Sequence, residues 1–294
     1  VAGTKLRRLL ALGLLGGLST ATLCAQAAAP VWVIRGPHAI VYLAGSVHLL
    51  PAQSSTLPAA FDHAYSDSKK LVMEMDMGKI DALAVVGWMT EHGTLPEGTT
   101  LRSLVGDARY QRVSAAAGEL NAPVDLLNGQ APWVVGLELA DLQYMHEGFD
   151  PQQGVEEQLV RRAQADAKAT DGLETIDEEL SGLEGLSRED QLRLLDQTLD
   201  DLKEPQQEMQ EILTAWRHGD AAQLAALLSR EYRAFPALYR PLVTVRNQRW
   251  VPKIEQLLNG NENCLVVVGA LHLVGDGGLL ELLRRDGFTA SQLN

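Results

Sequence analysis

Two histidines in this sequence each stand three residues after a glycine that ends an apolar run. They are His48, in Ala39-Ile40-Val41-Tyr42-Leu43-Ala44-Gly45-Ser46-Val47-His48, and His272, in Cys264-Leu265-Val266-Val267-Val268-Gly269-Ala270-Leu271-His272. Imidazoles serve as metal ligands, as proton carriers, or as plain turn residues bonded to backbone. Glu74, in Leu71-Val72-Met73-Glu74-Met75-Asp76, adds a carboxylate between methionines. A charge there is costly unless it is paired, hydrogen-bonded or bound to metal. Two neutral imidazoles and a carboxylate form a common ligand set for a divalent ion with open positions. Such an ion polarises a carbonyl and generates hydroxide from water near neutral pH.

Two more residues could serve that chemistry. Glu174, in Gly172-Leu173-Glu174-Thr175, is either a helix-start carboxylate or a site neighbour. Arg246 could bind a carboxylate or an oxyanion through two donors, or it could tie acidic helices together. Ser46 could be a nucleophile, but the sequence reveals no third member for it. The remaining histidines (His38, His63, His92, His146 and His218) share no recurring context. There is no G-x-S-x-G, H-E-x-x-H or P-loop, so those mechanisms lose support.

The elements that must position these residues can be read from periodicity. Both Gly–x–x–His runs are β-branched and short enough for buried strands, so each histidine is expected just past a strand's C-terminal end. Open α/β sheets place ligands at that edge. Val31 to Ile34 and His38 to Ala44 read as a hairpin around Arg35-Gly36-Pro37, and Lys70 to Met77 as a third strand with Val72, Glu74 and Asp76 on one face. Residues from about 79 to 240 read as mostly helical, with Pro132 at a helix start, a helix over 154–168 and a short return to the sheet over 171–174. Ser187 and Asp190 resemble a capping box, and Thr244 to Leu258 reads as the helix that carries Arg246. Strands at both ends around a helical middle give an α/β (α+β) fold: a mixed sheet carrying two strand–Gly–x–x–His motifs, with a helical central insertion.

Lys5, Arg7 and Arg8, the apolar stretch Leu9 to Leu18, and Ala25-Gln26-Ala27 form a leader pattern, so residues 1–27 are expected to be a signal peptide and 28–294 one domain, periplasmic or secreted. The apolar stretch is too short for a stable anchor, and no later run reaches about eighteen apolar residues, so no stable membrane insertion is expected after cleavage. Cleavage would leave Cys264 without an intramolecular partner. The formal charge is −13, and the leader takes three of the 25 basic residues with it. So acidic a chain argues against nucleic acid or anionic lipid as partner.

At these residues the chain resembles the TraB/GumN family, which includes the Tiki proteins. The matching pieces are Tyr42 to His48, Leu71 to Asp76, Gly154-Val155-Glu156, Gly172 to Thr175, Arg246-Asn247 with Trp250, and Val268 to Gly275. Leu271 stands where glycine is frequent in that family, and Glu156 where aspartate is usual. The resemblance implies an α/β fold around the paired motifs. Through the Tiki branch it implies a metal-dependent peptidase, with His48, Glu74 and His272 at the metal and Glu174 and Arg246 as site neighbours. The expectation is therefore an exported hydrolase with manganese, cobalt or zinc, acting on a peptide or another acyl bond. More distant relatives suggest two alternatives: a non-enzymatic haem- or partner-binding envelope protein, and an esterase-like hydrolase that uses a histidine base without metal.

Overall fold

The computed structural model describes residues 29–293 apart from Ser54, Glu204 and Phe235; the expected leader lies outside the described residues. Among the described residues eight strands form in chain order: β1 (Val31–Arg35), β2 (Ile40–Ser46), β3 (Leu50–Pro51), β4 (Lys70–Met73), β5 (Phe149–Asp150), β6 (Ala169–Gly172), β7 (Cys264–Gly269) and β8 (Ala290–Gln292). Six of them make one mixed sheet in the order β6-β4-β7-β2-β1-β8, and β3 with β5 makes a small second sheet. The fold is α/β, as expected.

The sheet's parallel half decides where chemistry can happen. β2, β4 and β6 lie in a parallel array with β7, with Ser46 opposite Gly269, Met73 opposite Val267, and Met73 opposite Gly172. β7 is buried from Cys264 through Val268, consistent with a central strand covered on both faces. The hairpin of β1 and β2 forms as expected, with Val31 opposite Ala44. Its second strand starts and ends two residues later than the pattern indicated, at Ile40 and Ser46.

Two further strands also differ from the sequence reading in their limits. β4 stops at Met73 instead of reaching Met77, because its neighbour β6 also stops, at Gly172, and the chain turns immediately afterwards. In that turn Met77 N–H donates to the Met75 carbonyl at 2.8 Å and Lys79 N–H to the Asp76 carbonyl at 2.9 Å. Glu74 therefore follows the strand, and no strand face unites Val72, Glu74 and Asp76. The return to the sheet falls at 169–172, slightly earlier than expected, so Glu174 also lies beyond a strand end.

The middle of the chain is largely helical, although β5 and β6 interrupt it. The helix Pro132–His146 starts at its proline, and Val155–Ala165 and Arg188–Asp201 form at the expected places. A second apolar cluster, including Leu101, Val113, Leu139 and Leu195, packs Pro132–His146 and Arg188–Asp201 with their neighbours apart from the sheet's own core, whereas Val155, Leu159 and Val160 of Val155–Ala165 join that core. The helix Pro205–Arg217 also bonds to the sheet: buried Trp216 donates its indole N–H to the Gly45 carbonyl at 2.7 Å. Among the described residues no helix is long and apolar enough to cross a membrane.

Candidate active site

Four parallel strands end along one edge of the sheet, and each delivers one residue of interest within three positions of its end. Glu74 follows β4, Glu174 follows β6, His272 follows β7 and His48 follows β2. The two Gly–x–x–His motifs also touch directly. A Cβ at Gly45 would sit 3.0 Å from Leu273 Cδ1 and 3.1 Å from Ala270 Cα, so the first motif's glycine makes room for the second motif. His272 itself stands just past its strand, in a short helix, Ala270–Leu273.

Arg246 is the centre of the buried part. It follows a π-helical turn, Arg240–Thr244, that contains Pro241 and leads into the helix Val245–Leu258. A proline cannot donate its backbone nitrogen to the preceding turn, which favours such a widened turn there. The Arg246 guanidinium donates to Glu74 Oε2 at 2.5 Å and, through two nitrogens, to Glu174 Oε1. It also stands 3.7 Å from Glu179 Oε1 and stacks 4.8 Å from the Trp250 ring. Trp250 in turn donates its indole N–H to Glu174 Oε2 at 3.2 Å. Of the two roles left open for Arg246, the geometry displays the tie between acidic elements: its side chain is 8% exposed and faces carboxylates.

Each histidine is held by its Nδ1. Asn247 donates its amide to the carbonyls of His272 and Gly277 at 3.0 and 2.9 Å, so its Oδ1 must face the His272 ring. That oxygen lies 2.8 Å from Nδ1, which therefore carries the proton, and Nε2 is left as the acceptor, 3.3 Å from Arg246 Nη1. His48 meets Glu156 Oε1 through Nδ1 at 3.0 Å, and the same oxygen accepts the Ser46 hydroxyl at 2.5 Å. The His48 side chain is 69% exposed, whereas His272 is buried. Gly154 is required behind this pair, because a Cβ there would stand 2.1 Å from the His48 carbonyl oxygen.

The electrostatics divide these groups. Burial opposes a charge on Glu74, but the adjacent His272 and Arg246 more than offset it and hold the carboxyl down at about 2. Burial lowers His272 to about 4, with Arg246 and His48 adding to the effect and Glu74 opposing it; the ring is neutral at neutral pH. With His272 neutral at that pH, the Arg246 guanidinium, His48 and the Gly269 N–H at 2.6 Å are what keep Glu74 ionised. Attraction to Glu156 raises the His48 imidazole well above its ordinary value. Burial, then repulsion from Glu74, pushes Glu179 up to about 7.

Glu179 is the residue that sequence reasoning missed. It lies in the helix Ile176–Glu184 among other acidic residues, and only its packing distinguishes it. Its Oε2 is buried without a hydrogen-bond partner. Glu74, Glu174 and Glu179 each place one carboxylate oxygen within 4.8 Å of the others, the one set of three potential ligands that close among the described residues. Arg246 lies between these carboxylates and the His272 ring. The donor chemistry fits a divalent cation: three carboxyls face one guanidinium, one carboxyl oxygen lacks any partner, and a neutral imidazole presents Nε2.

A cleft of about 580 Å³ opens beside these groups, lined by Ser46, His48, His272 and mostly apolar side chains. The sequence model of the TraB/PrgY/gumN family matches residues 30–292. An Escherichia coli (strain K12) protein described as "Uncharacterized protein YbaP" is 25% identical over 243 residues, covering 83% of this chain and 87% of its own length. A Shigella flexneri protein of the same description matches to the same extent. No solved structure matches the chain.

Proposed function

Because this chain belongs to the TraB/PrgY/gumN family, we propose that it is an exported, metal-dependent hydrolase acting on a peptide or another acyl bond. The observation that supports this most is the charge balance at the sheet's edge. Three carboxyls surround a single guanidinium, and Glu179 is pushed up to about 7 where positive charge is short. A divalent cation would satisfy that shortage. His48, Glu74 and His272 would hold the ion, with Glu179 as a further oxygen donor or proton carrier. Manganese, cobalt and zinc all suit such nitrogen and oxygen donors. When bound, the metal would supply Lewis acidity and lower the pKa of water.

The chain's own residues have separable tasks. Asn247 holds the proton on Nδ1 of His272 and so leaves Nε2 as the acceptor, which Arg246 faces at 3.3 Å and which a metal would take over, and Glu156 turns His48 so that its Nε2 is the nitrogen away from the carboxylate. Arg246 helps keep Glu74 ionised and fixes both Glu74 and Glu174 in place. Glu174 has both oxygens engaged, by Arg246 and Trp250, so Glu179 Oε2 is the better seat for a mobile proton. Export rests on the leader pattern in residues 1–27.

Elemental analysis of protein purified without chelator tests the metal reading. We expect a bound divalent metal in the wild type and its loss in both His48→Ala and His272→Ala. Unchanged metal content in both variants would sink the proposal.

One observation favours a second reading, a hydrolase without metal. Glu156 bonds both His48 and Ser46, giving a carboxylate–imidazole pair that faces the cleft and serves as a general base once the raised imidazole has lost its proton at alkaline pH. Peptide turnover that persists in excess chelator and vanishes in His48→Ala would select it.

A further inference from the structure

The cleft beside the histidines has walls for which the proposed reaction finds no use. Met145 and Tyr144 come from the helix Pro132–His146, and Met209 and Ile212 from Pro205–Arg217. Met145 is 44% exposed, an unusual degree for a large apolar side chain on this surface. Thioether side chains are flexible and polarisable, and surfaces rich in them accept varied apolar partners. The volume, about 580 Å³, is within the usual range for ligand pockets.

Charge narrows the choice of occupant. Among the described residues that line the cleft there is no lysine or arginine. The one lining carboxylate is Asp141, a helical turn before Tyr144 and Met145 and on the same face. The other charged side chain of the lining, His48, is already paired with Glu156 at 3.0 Å, so Asp141 is the lining charge left to meet an incoming cation. A fatty acid or phospholipid would bring an anion to a wall with no lysine or arginine, on a chain of net charge −13. Such a ligand fits the apolar wall but not its charge.

We propose that the cleft takes a peptide segment with a bulky apolar side chain and a neighbouring cationic group, the apolar part against Met145, Met209 and Ile212 and the cation against Asp141. This names the substrate class of the site on the hydrolase reading given above. The peptide's backbone would then lie alongside His48 and His272, which line the same cleft.

The test is calorimetric binding to the full chain in excess chelator, so that neither metal nor turnover enters the measurement. The probes are four: a blocked tetrapeptide carrying phenylalanine, leucine and lysine; its glutamate counterpart; a serine-rich lysine peptide; and dodecanoate. The first should bind about tenfold or more tightly than the other three, the scale of one good charge pair or one buried apolar side chain. Asp141→Asn should remove the preference for lysine over glutamate while keeping that for phenylalanine and leucine. Met145→Glu, at an exposed position where folding is unaffected, should remove the apolar preference. Equal binding of all probes, tighter binding of dodecanoate, or wild-type preferences in both variants would overturn the inference. A chain that shows these preferences but holds no divalent metal on elemental analysis when purified without chelator would sink the metal reading and leave the cleft's specificity standing.

Discussion

The Oδ1 atom of Asn247 lies 2.8 Å from Nδ1 of His272, and it cannot be exchanged for the amide nitrogen. Both amide hydrogens of Asn247 are committed, to the carbonyls of His272 and Gly277. A side chain with no exposed surface thereby fixes the ring's tautomer and ties the second motif to the helix Val245–Leu258. Asn247→Ala should lower unfolding stability by about 2–4 kcal/mol, from three lost hydrogen bonds and the carbonyls left behind. It should also weaken divalent-metal binding about 10- to 100-fold. Urea unfolding and metal titration read the two effects separately, and full metal affinity in a folded variant would refute the tautomer argument.

Arg246 is the sole guanidinium among Glu74, Glu174 and Glu179. Removing one partner of a buried ion network leaves the remainder uncompensated. Arg246→Met should therefore destabilise the metal-free chain by about 3–5 kcal/mol at pH 8. Arg246→Lys keeps the charge but not the planar fork, and it should recover only part of the loss. Chemical denaturation of both variants checks the order.

The pH dependence has a direction that can be worked out. Glu179 has its folded-state value raised to about 7 from the 4.5 of a free carboxyl. Between those values the folded chain holds a proton that the unfolded chain has released. This group's contribution to stability therefore falls as pH rises from about 4.5 to 7, by up to about 3 kcal/mol. His272, lowered to about 4, acts oppositely: its contribution rises with pH between about 4 and 6.5. Glu179→Gln should thus stabilise the metal-free chain most at pH 8 and not at pH 4. A difference between variant and wild type that does not change with pH would contradict the assignment.

Gly154 bears on His48 through sterics alone. With a Cβ only 2.1 Å from the His48 carbonyl oxygen, Gly154→Ala must move one backbone segment or the other. A destabilisation of about 1–3 kcal/mol is expected from such overpacking. The His48–Glu156 pair should be disturbed with it, which the ring's NMR titration would reveal as a shift toward an ordinary imidazole value.

Export and the leader can be examined directly. Expression of the full sequence followed by N-terminal sequencing of the protein recovered outside the cytoplasm should begin near residue 28. Recovery of only uncleaved protein in the cytoplasm would remove that part of the proposal.

The local signals in this chain were strong where one short segment sufficed to create them. β-Branched runs ending in glycine announced β2 and β7, proline announced the helix Pro132–His146, and a carboxylate between methionines announced Glu74 as a group in need of partners. Those signals also picked out His48, Glu74, Glu174, Arg246 and His272, which the fold gathers at or beside one sheet edge. What they could not convey was who stands next to whom. Strand order and parallel pairing bring Glu74 and Glu174 together across exactly one strand interval, and a helix seventy residues further on inserts Arg246 between them. Glu179 is chemically ordinary in sequence, and only tertiary packing buries its oxygen, denies it a partner and raises its pKa. The physical reason is that side-chain type and strand ends are local properties. Desolvation and charge pairing depend on the distances between segments, and those exist only once the sheet has assembled.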